Sequence, residues 1–365
     1  MIRRLVGALC GVALLSVATV QPAAAQTPAA APPAAGAAAP RPAFSFPPVH
    51  PTGPGAPVQH IKVHGKSLEG NLEGNSPDRD VLVVLPPSYK TATHRHYPVI
   101  YFLHGFMITG QYFADFVHVP EAALASSKKG KEFIIVVPDT DTRQGGSMYS
   151  SSATTGDFEA YVAKDLVAYV DKHYRTIAKR SGRGLAGHSM GGYGVWKIGM
   201  KYPQVWSSIY AMSACCVSPR TETVEAAKKI ADLSLDDAAH ADFGTRAGIA
   251  SAVAWSPDPK NPPFFTDFAY KDGAIDASVL DRWAANSPLV MVSQYVPALK
   301  SFTAIAMDVG DKDGLLKDET SIHEALDRFG VANHFEVYDG NHADHIAIRF
   351  DQKVLPFFAK HLAMK

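Results

Sequence analysis

Cysteine is scarce in this chain, with three in 365 residues, at Cys10, Cys215 and Cys216. No pair is spaced as a metal motif requires, and no His-Glu-x-x-His element occurs, so the common zinc signatures are missing. Cys215 and Cys216 are sequence neighbours, between which a bridge would be strained. They read as two small packing residues after a strand. A surplus of charge is missing too: lysine plus arginine and aspartate plus glutamate each number 35. Such a chain has no broad basic field for nucleic acid or an anionic membrane. Lys128-Lys129-Gly130-Lys131 reads as a solvated turn. The N-terminal apolar run, Leu5 to Val20, falls short of the ~20 residues that span a bilayer, so no stable membrane insertion is expected. Arg3 and Arg4 precede the run and Ala23-Ala24-Ala25 follows it, the pattern of an export signal. Cleavage is expected after Ala25, with a periplasmic or secreted destination. Loss of residues 1–25 removes two arginines and no acids, leaving a net charge of −2. Residues 26–57 are rich in alanine and proline and nearly uncharged, which suits a disordered tether and not a core.

The folded part is expected over residues 58–365. Apolar residues make up 47% of the chain, ample for a sizeable core. His60–His64, Asp80–Leu85, Pro98–Leu103, Phe133–Val137, Ser207–Met212, Phe302–Asp308 and His334–Tyr338 read as strands. Several are continuous apolar runs, as strands buried on both faces should be. Asp157 can cap a helix whose apolar stripe is Phe158, Tyr161, Val162, Leu166, Val167 and Val170. Further helices are expected over Ser321–Phe329 and Asp344–Leu362. Repeated strand–helix units imply an α/β fold, with a mostly parallel central sheet and helices on both faces. Residues 221–301 interrupt the rhythm with far more chain than a usual connection. This block reads as an inserted cap region near the active site, with helices at Val224–Ala231 and Ala277–Ala285.

The chemistry centres on Gly187-His188-Ser189-Met190-Gly191. A serine hydroxyl is a poor nucleophile unless it is presented bare and close to a base. A sharp strand-to-helix turn presents it, and flanking glycines relieve the crowding of that turn. The residues before it read as a short buried strand and those after it as a buried helix. Gly182-x-Gly184-x-x-Gly187 overlaps the element and matches a dinucleotide fingerprint. That fingerprint needs a strand before its first glycine, and here the glycines bracket the strand, so a nicotinamide or flavin site is rejected and no cofactor is expected. An activated serine also needs an acid and a histidine, which on such a sheet follow in that order. Asp308-Val-Gly-Asp311-Lys-Asp313-Gly314 supplies acids after a late strand, and Asn341-His342 follows the last strand. Asp308 is expected to be held at the sheet edge or by backbone donors, and Asp311 to be exposed at the turn tip. Asp313 should be turned inward by Leu315 and Leu316. The backbone N–H groups of Met190 and Phe106 are the expected oxyanion donors, with Gly105 bending the chain before Phe106. Trp255 is the expected pocket wall within the insert.

These motifs carry a resemblance. Arg79-Asp-Val-Leu-Val-Val-Leu-Pro-Pro87, Tyr97-Pro-Val-Ile-Tyr-Phe-Leu-His-Gly-Phe106, Asp165-Leu-Val-Ala-Tyr-Val-Asp171, Gly187-His-Ser-Met-Gly-Gly192, Asp308-Val-Gly-Asp-Lys-Asp-Gly-Leu-Leu316 and Gly340-Asn-His342 together resemble the esterase D-type family of α/β-hydrolases. That group includes S-formylglutathione hydrolases, feruloyl and acetyl-xylan esterases, siderophore esterases and mycolyltransferases. The resemblance runs from about His64 to Leu362. It implies the α/β-hydrolase fold, a Ser189–Asp313–His342 triad and a small-molecule ester as substrate. Its members include acyltransferases, so transfer to a sugar hydroxyl is the alternative to hydrolysis. A metallohydrolase built on Asp339, His342, Asp344 and His345 ranks lower, because no zinc motif supports it. A binding protein that keeps only the fold ranks lowest, because no triad member is missing. The acyl group, the alcohol and the oligomeric state are not written in these motifs.

Overall fold

The apolar runs assemble into one eight-stranded sheet in the computed structural model, which describes residues 49–365. The expected signal segment and all of the expected tether before Val49 lie outside the described residues. The strands are β1 (Val58–His64), β2 (Asp78–Val84), β3 (Val99–Leu103), β4 (Ile134–Pro138), β5 (Arg183–His188), β6 (Ser208–Met212), β7 (Ala304–Gly310) and β8 (His334–Tyr338). Their spatial order is β1-β2-β4-β3-β5-β6-β7-β8. β2 runs antiparallel to both of its neighbours, and every other adjacent pair is parallel.

The strand pattern divides the core between two faces. Val99, Tyr101 and Leu103 of β3 join one apolar cluster, while Ile100 and Phe102 join the other. This is the two-residue alternation of a strand covered on both sides. On one face lie α1 (Gly110–Phe116) and α2 (Val119–Lys128). On the other lies α3, a helical run over residues 158–173 with a π turn at Tyr161–Asp165. The α3 stripe is buried as its spacing predicts, and the Asp157 carboxylate caps it by accepting from the Ala160 N–H at 2.9 Å. α4 (Met190–Lys201) follows β5 directly.

The stretch between β6 and β7 carries the expected helices at Val224–Ala231 and Ala277–Ala285 and a third that sequence periodicity does not reveal, α5 (Phe243–Trp255). Alanine, glycine and serine fill most of α5, and it is buried on nearly every side, so no apolar stripe marks it. The insert is tied to α4 and to the loop after β6. The Tyr193 hydroxyl of α4 donates to the Asn286 carbonyl at 2.8 Å, and the Leu289 N–H donates to the Val217 carbonyl at 2.9 Å. α6 (Leu316–Arg328) begins five residues ahead of the expected Ser321. Lys317, Asp318 and Glu319 follow Leu316 in its first turn and mask it, yet Glu319 points inward and accepts from the Ala214 N–H. The last helical run, α7, covers residues 346–361 and includes a π turn at Phe350–Val354. Its Phe350 ring stacks on Phe102 at 4.5 Å. Among the described residues, no helix is long and apolar enough to cross a membrane.

Candidate active site

β5 ends at His188 and α4 starts at Met190, so the whole change of direction falls on Ser189. Its backbone sits at φ 57 and ψ −117, a conformation costly for any residue with a side chain. The surroundings hold it there. The Ser189 N–H donates to the Met212 carbonyl at 3.0 Å, and the Ser189 carbonyl accepts from Tyr193 and Cys215 at 3.0 and 3.1 Å. The glycines are required by contact. A Cβ on Gly191 would lie 2.1 Å from the Leu103 carbonyl oxygen, and one on Gly187 would lie 2.4 Å from that of Gly191. The neighbouring glycine-rich match is not a dinucleotide cradle, because β5 itself runs through it from Arg183 to His188.

His342 and Asp313 come together with Ser189. His342 Nε2 lies 3.0 Å from Ser189 Oγ, and His342 Nδ1 lies 2.9 Å from Asp313 Oδ2. Asp313 is buried, and Oδ1 accepts from the Leu315 N–H at 2.9 Å. Burial disfavours its charge, but hydrogen bonds from His342 and the Leu315 N–H outweigh that and hold its carboxyl below the usual range. The loops carrying the two residues are laced together. Lys312 N–H donates to the Gly340 carbonyl at 2.9 Å, Asp311 N–H to the Tyr338 carbonyl at 2.8 Å, and Gly340 N–H to the Asp311 carboxylate at 3.0 Å. A Cβ on Gly310 would fall 2.2 Å from the Gly340 carbonyl oxygen, so only glycine permits the approach.

The other two candidate acids are occupied elsewhere. Asp311 is exposed and serves the Gly340 N–H. Asp308 differs from expectation. Its side chain is held by neither the sheet edge nor backbone donors. It is fully buried, accepting from Arg349 at 2.7 and 2.9 Å and from the Tyr210 hydroxyl at 2.7 Å.

Two histidines that the motifs did not single out brace the site. His188 is buried and its Nε2 donates to the His342 carbonyl at 2.8 Å. Burial, followed by the proximity of His342, pushes its pKa down to about 3, so it is neutral near pH 7. His104 is buried between β3 and the Phe106 turn. Its Nε2 accepts from the Thr140 N–H at 2.8 Å, which leaves the proton on Nδ1 to donate to the Gly105 carbonyl, also at 2.8 Å. The Tyr149 hydroxyl donates to the His104 carbonyl at 3.1 Å. The left-handed residue of this turn is Met107, at φ 63. Its N–H is anchored on the Gly145 carbonyl at 2.7 Å. Phe106 therefore stands in a pinned loop beside Ser189, while Met190 opens α4. The signal for both histidines was their place inside the motifs, next to Gly105 and Ser189.

Ser189 and His342 open into a cavity of about 260 Å³ walled by Phe106, Met148, Phe243, Cys215, Cys216 and Leu315. Trp255 is not part of that wall. Its indole is buried, donates to Ser150 Oγ at 3.1 Å and packs against Tyr193 and Trp283. Trp255 closes α5, whereas Phe243 opens it, and this end reaches the cavity. The Phe243 ring meets Phe106 edge-on at 5.5 Å and is 58% exposed, which leaves it available to a ligand. Asp242, capping α5 by accepting from the Thr245 N–H, was the sequence signal for it. His345 sits at the N-cap of α7 with its ring over Tyr338. Among the described residues, no three His, Cys, Asp or Glu side chains converge as a metal site would require.

A strand order of this kind, with a strained serine between β5 and α4 and a histidine and acid from the last two strand ends, defines an α/β-hydrolase. The chain belongs to the family described as "Putative esterase", whose model matches residues 75–350. It is 34% identical over 128 residues to Esterase Rv1288 of Mycobacterium tuberculosis (strain ATCC 25618 / H37Rv). That match covers 33% of this chain and only 26% of the relative's length. Among solved structures, a ferulic acid esterase superposes with a TM-score of 0.61 at 24% identity, covering 85% of this chain and all of the other. An S-formylglutathione hydrolase from Agrobacterium tumefaciens gives 0.57 at 18%, covering 86% and 98%. A fluorophosphonate-binding serine hydrolase of Staphylococcus aureus gives 0.57 at 19%, covering 85% and 100%.

Proposed function

We propose that this protein is an exported serine carboxylic-ester hydrolase. The observation that carries the reading is the continuous hydrogen-bonded line from Ser189 Oγ through His342 to Asp313. In this reading His342 Nε2 takes the hydroxyl proton as Ser189 attacks the ester carbonyl. Asp313 fixes the tautomer and stabilises the imidazolium. The Phe106 and Met190 N–H groups hold the developing oxyanion, each worth roughly 3 kcal/mol of barrier. His342 then protonates the departing alcohol, and water, activated by the same imidazole, releases the acid from the acyl-enzyme.

The cavity of about 260 Å³ lies at the small end of ligand sites and is walled mostly by apolar side chains. That favours a short acyl group or a single ring over a long chain. Export rests on the basic and apolar pattern of residues 1–25. It is checked by sequencing the N-terminus of protein recovered outside the cytoplasm, which should begin at Gln26. For the chemistry, a fluorophosphonate should label Ser189 alone, and p-nitrophenyl acetate should be turned over faster than the palmitate ester. Labelling that survives Ser189→Ala would falsify the serine reading.

A further inference from the structure

The two cysteines occupy a place that their bland sequence reading did not anticipate. Both are half-buried, both wall the Ser189 cavity, and their Sγ atoms lie 2.8 Å apart. The turn that carries them is strained and anchored. Ser213 and Cys216 are non-glycine residues at φ 42 and φ 62, a conformation that persists only where the surroundings enforce it. The enforcement is visible. Ala214 N–H is bound by buried Glu319, and Cys215 N–H by the carbonyl of Ser189 itself. The thiols are not equivalent. The Cys215 thiol beside it, with a further contribution from Arg220, pushes the Cys216 thiol down, against the effect of burial. The same contact, with Cys216 as the partner, and burial push the Cys215 thiol up.

We propose that Cys215 and Cys216 are a reversible oxidation site in the cavity wall, closed to a disulfide between neighbours by a small disulfide oxidant. The exchange balances. Cys216 thiolate attacks one sulfur of the oxidant, forming a mixed disulfide and expelling the first thiolate. Cys215 loses its proton and attacks Cys216 Sγ, expelling the second. The pair gives up two electrons and two protons, and the oxidant leaves as two thiols.

Closure must reshape the turn. Adjacent Cα atoms are held about 3.8 Å apart by a trans peptide, below the ~4.4 Å at which ordinary bridges begin. The distortion falls on a segment hydrogen-bonded to the Ser189 carbonyl, so it reaches the turn at Ser189 as well as the cavity wall. A strained bridge is also readily reduced, which makes the site reversible. The effect on turnover rests on the esterase reading, whereas closure does not.

The test uses the full chain, reduced and then exposed to oxidised glutathione, followed by iodoacetamide, digestion and mass spectrometry. The expected peptide contains both cysteines unalkylated, is lighter by two hydrogens, and reverts with dithiothreitol. Cys215→Ser should instead retain glutathione on Cys216. Oxidation should lower kcat/KM for p-nitrophenyl acetate reversibly, and the Cys215→Ser/Cys216→Ser double variant should lose that redox sensitivity. Full alkylation of both thiols after oxidant overturns the site, as does a glutathione adduct in the wild type that never closes. A closed bridge with unaltered kcat/KM overturns its link to the cavity. The mass readout needs no turnover, so its failure is distinct from failure of fluorophosphonate labelling.

Discussion

At the level of single residues, three carboxylates lie within six positions at the end of β7 and in the loop after it, and their surroundings separate them. Asp313 faces His342, Asp311 faces solvent and Asp308 faces Arg349. An amide at 313 would still fill the space but could not stabilise imidazolium. Asp313→Asn should therefore lose on the order of 10⁴ in kcat, as the equivalent swap does in a serine protease. Asp311→Asn should be nearly silent in the same assay, with circular dichroism confirming that both variants fold. His188 makes a prediction about stability. Its pKa is about 3 in the fold against 6.5 unfolded, so the unfolded chain binds the extra proton. Its contribution is complete above pH 6.5 and is lost as pH falls towards 3. The slope it adds is about 1.4 kcal/mol per pH unit within that window. Denaturant titrations of His188→Asn across the window should show a shallower acid slope; an unchanged slope would place the buried neutral histidine elsewhere.

Among the elements, the strands themselves and the serine turn were legible in the sequence because each rests on a local pattern. Continuous apolar runs mark β3, β4 and β6, and a small-residue turn joins β5 to α4. The first turn of α6 and, apart from its Asp242 cap, α5 were not legible, for two different reasons. Glu319 is polar yet buried, so it breaks the stripe that its helix would otherwise show. α5 is enclosed on nearly all sides by tertiary contact, which leaves no polar face to alternate with. The same enclosure explains why Trp255 misled. A large aromatic in an insert marks either a pocket or a packing core, and only the direction of its helix decides between them. Phe243→Ala should thus change the ranking of acyl esters by kcat/KM. Trp255→Ala should mainly lower the melting temperature, at about 3–5 kcal/mol for an aromatic removed from a core. The reverse pattern would restore Trp255 to the cavity.

Across the whole molecule, the last helical run is joined to the last two strands of the sheet by a buried arginine. Arg349 of α7 reaches Asp308 of β7, Glu336 of β8 and the ring of Tyr338. Burial drives the Asp308 carboxyl up, while hydrogen bonds from Arg349 and Lys353 hold Glu336 at about 2. Removing the guanidinium leaves a carboxylate stranded in the core. Arg349→Ala is expected to cost about 3–5 kcal/mol of stability, measured by urea unfolding. Nothing in the sequence pairs these residues, because 41 positions separate them and the pairing exists only once β7 and α7 have met.

The contact between Gly310 and Gly340 has a bearing on how such a chain can change over generations. With 2.2 Å between a would-be Cβ and the facing carbonyl, any replacement at 310 forces the acid and base loops apart together. The cavity wall supplied by α5 carries no such constraint. In a saturation library selected for turnover, position 310 should stay glycine while position 243 accepts many side chains. Drift would then alter what the protein accepts while leaving the machinery that breaks the bond in place.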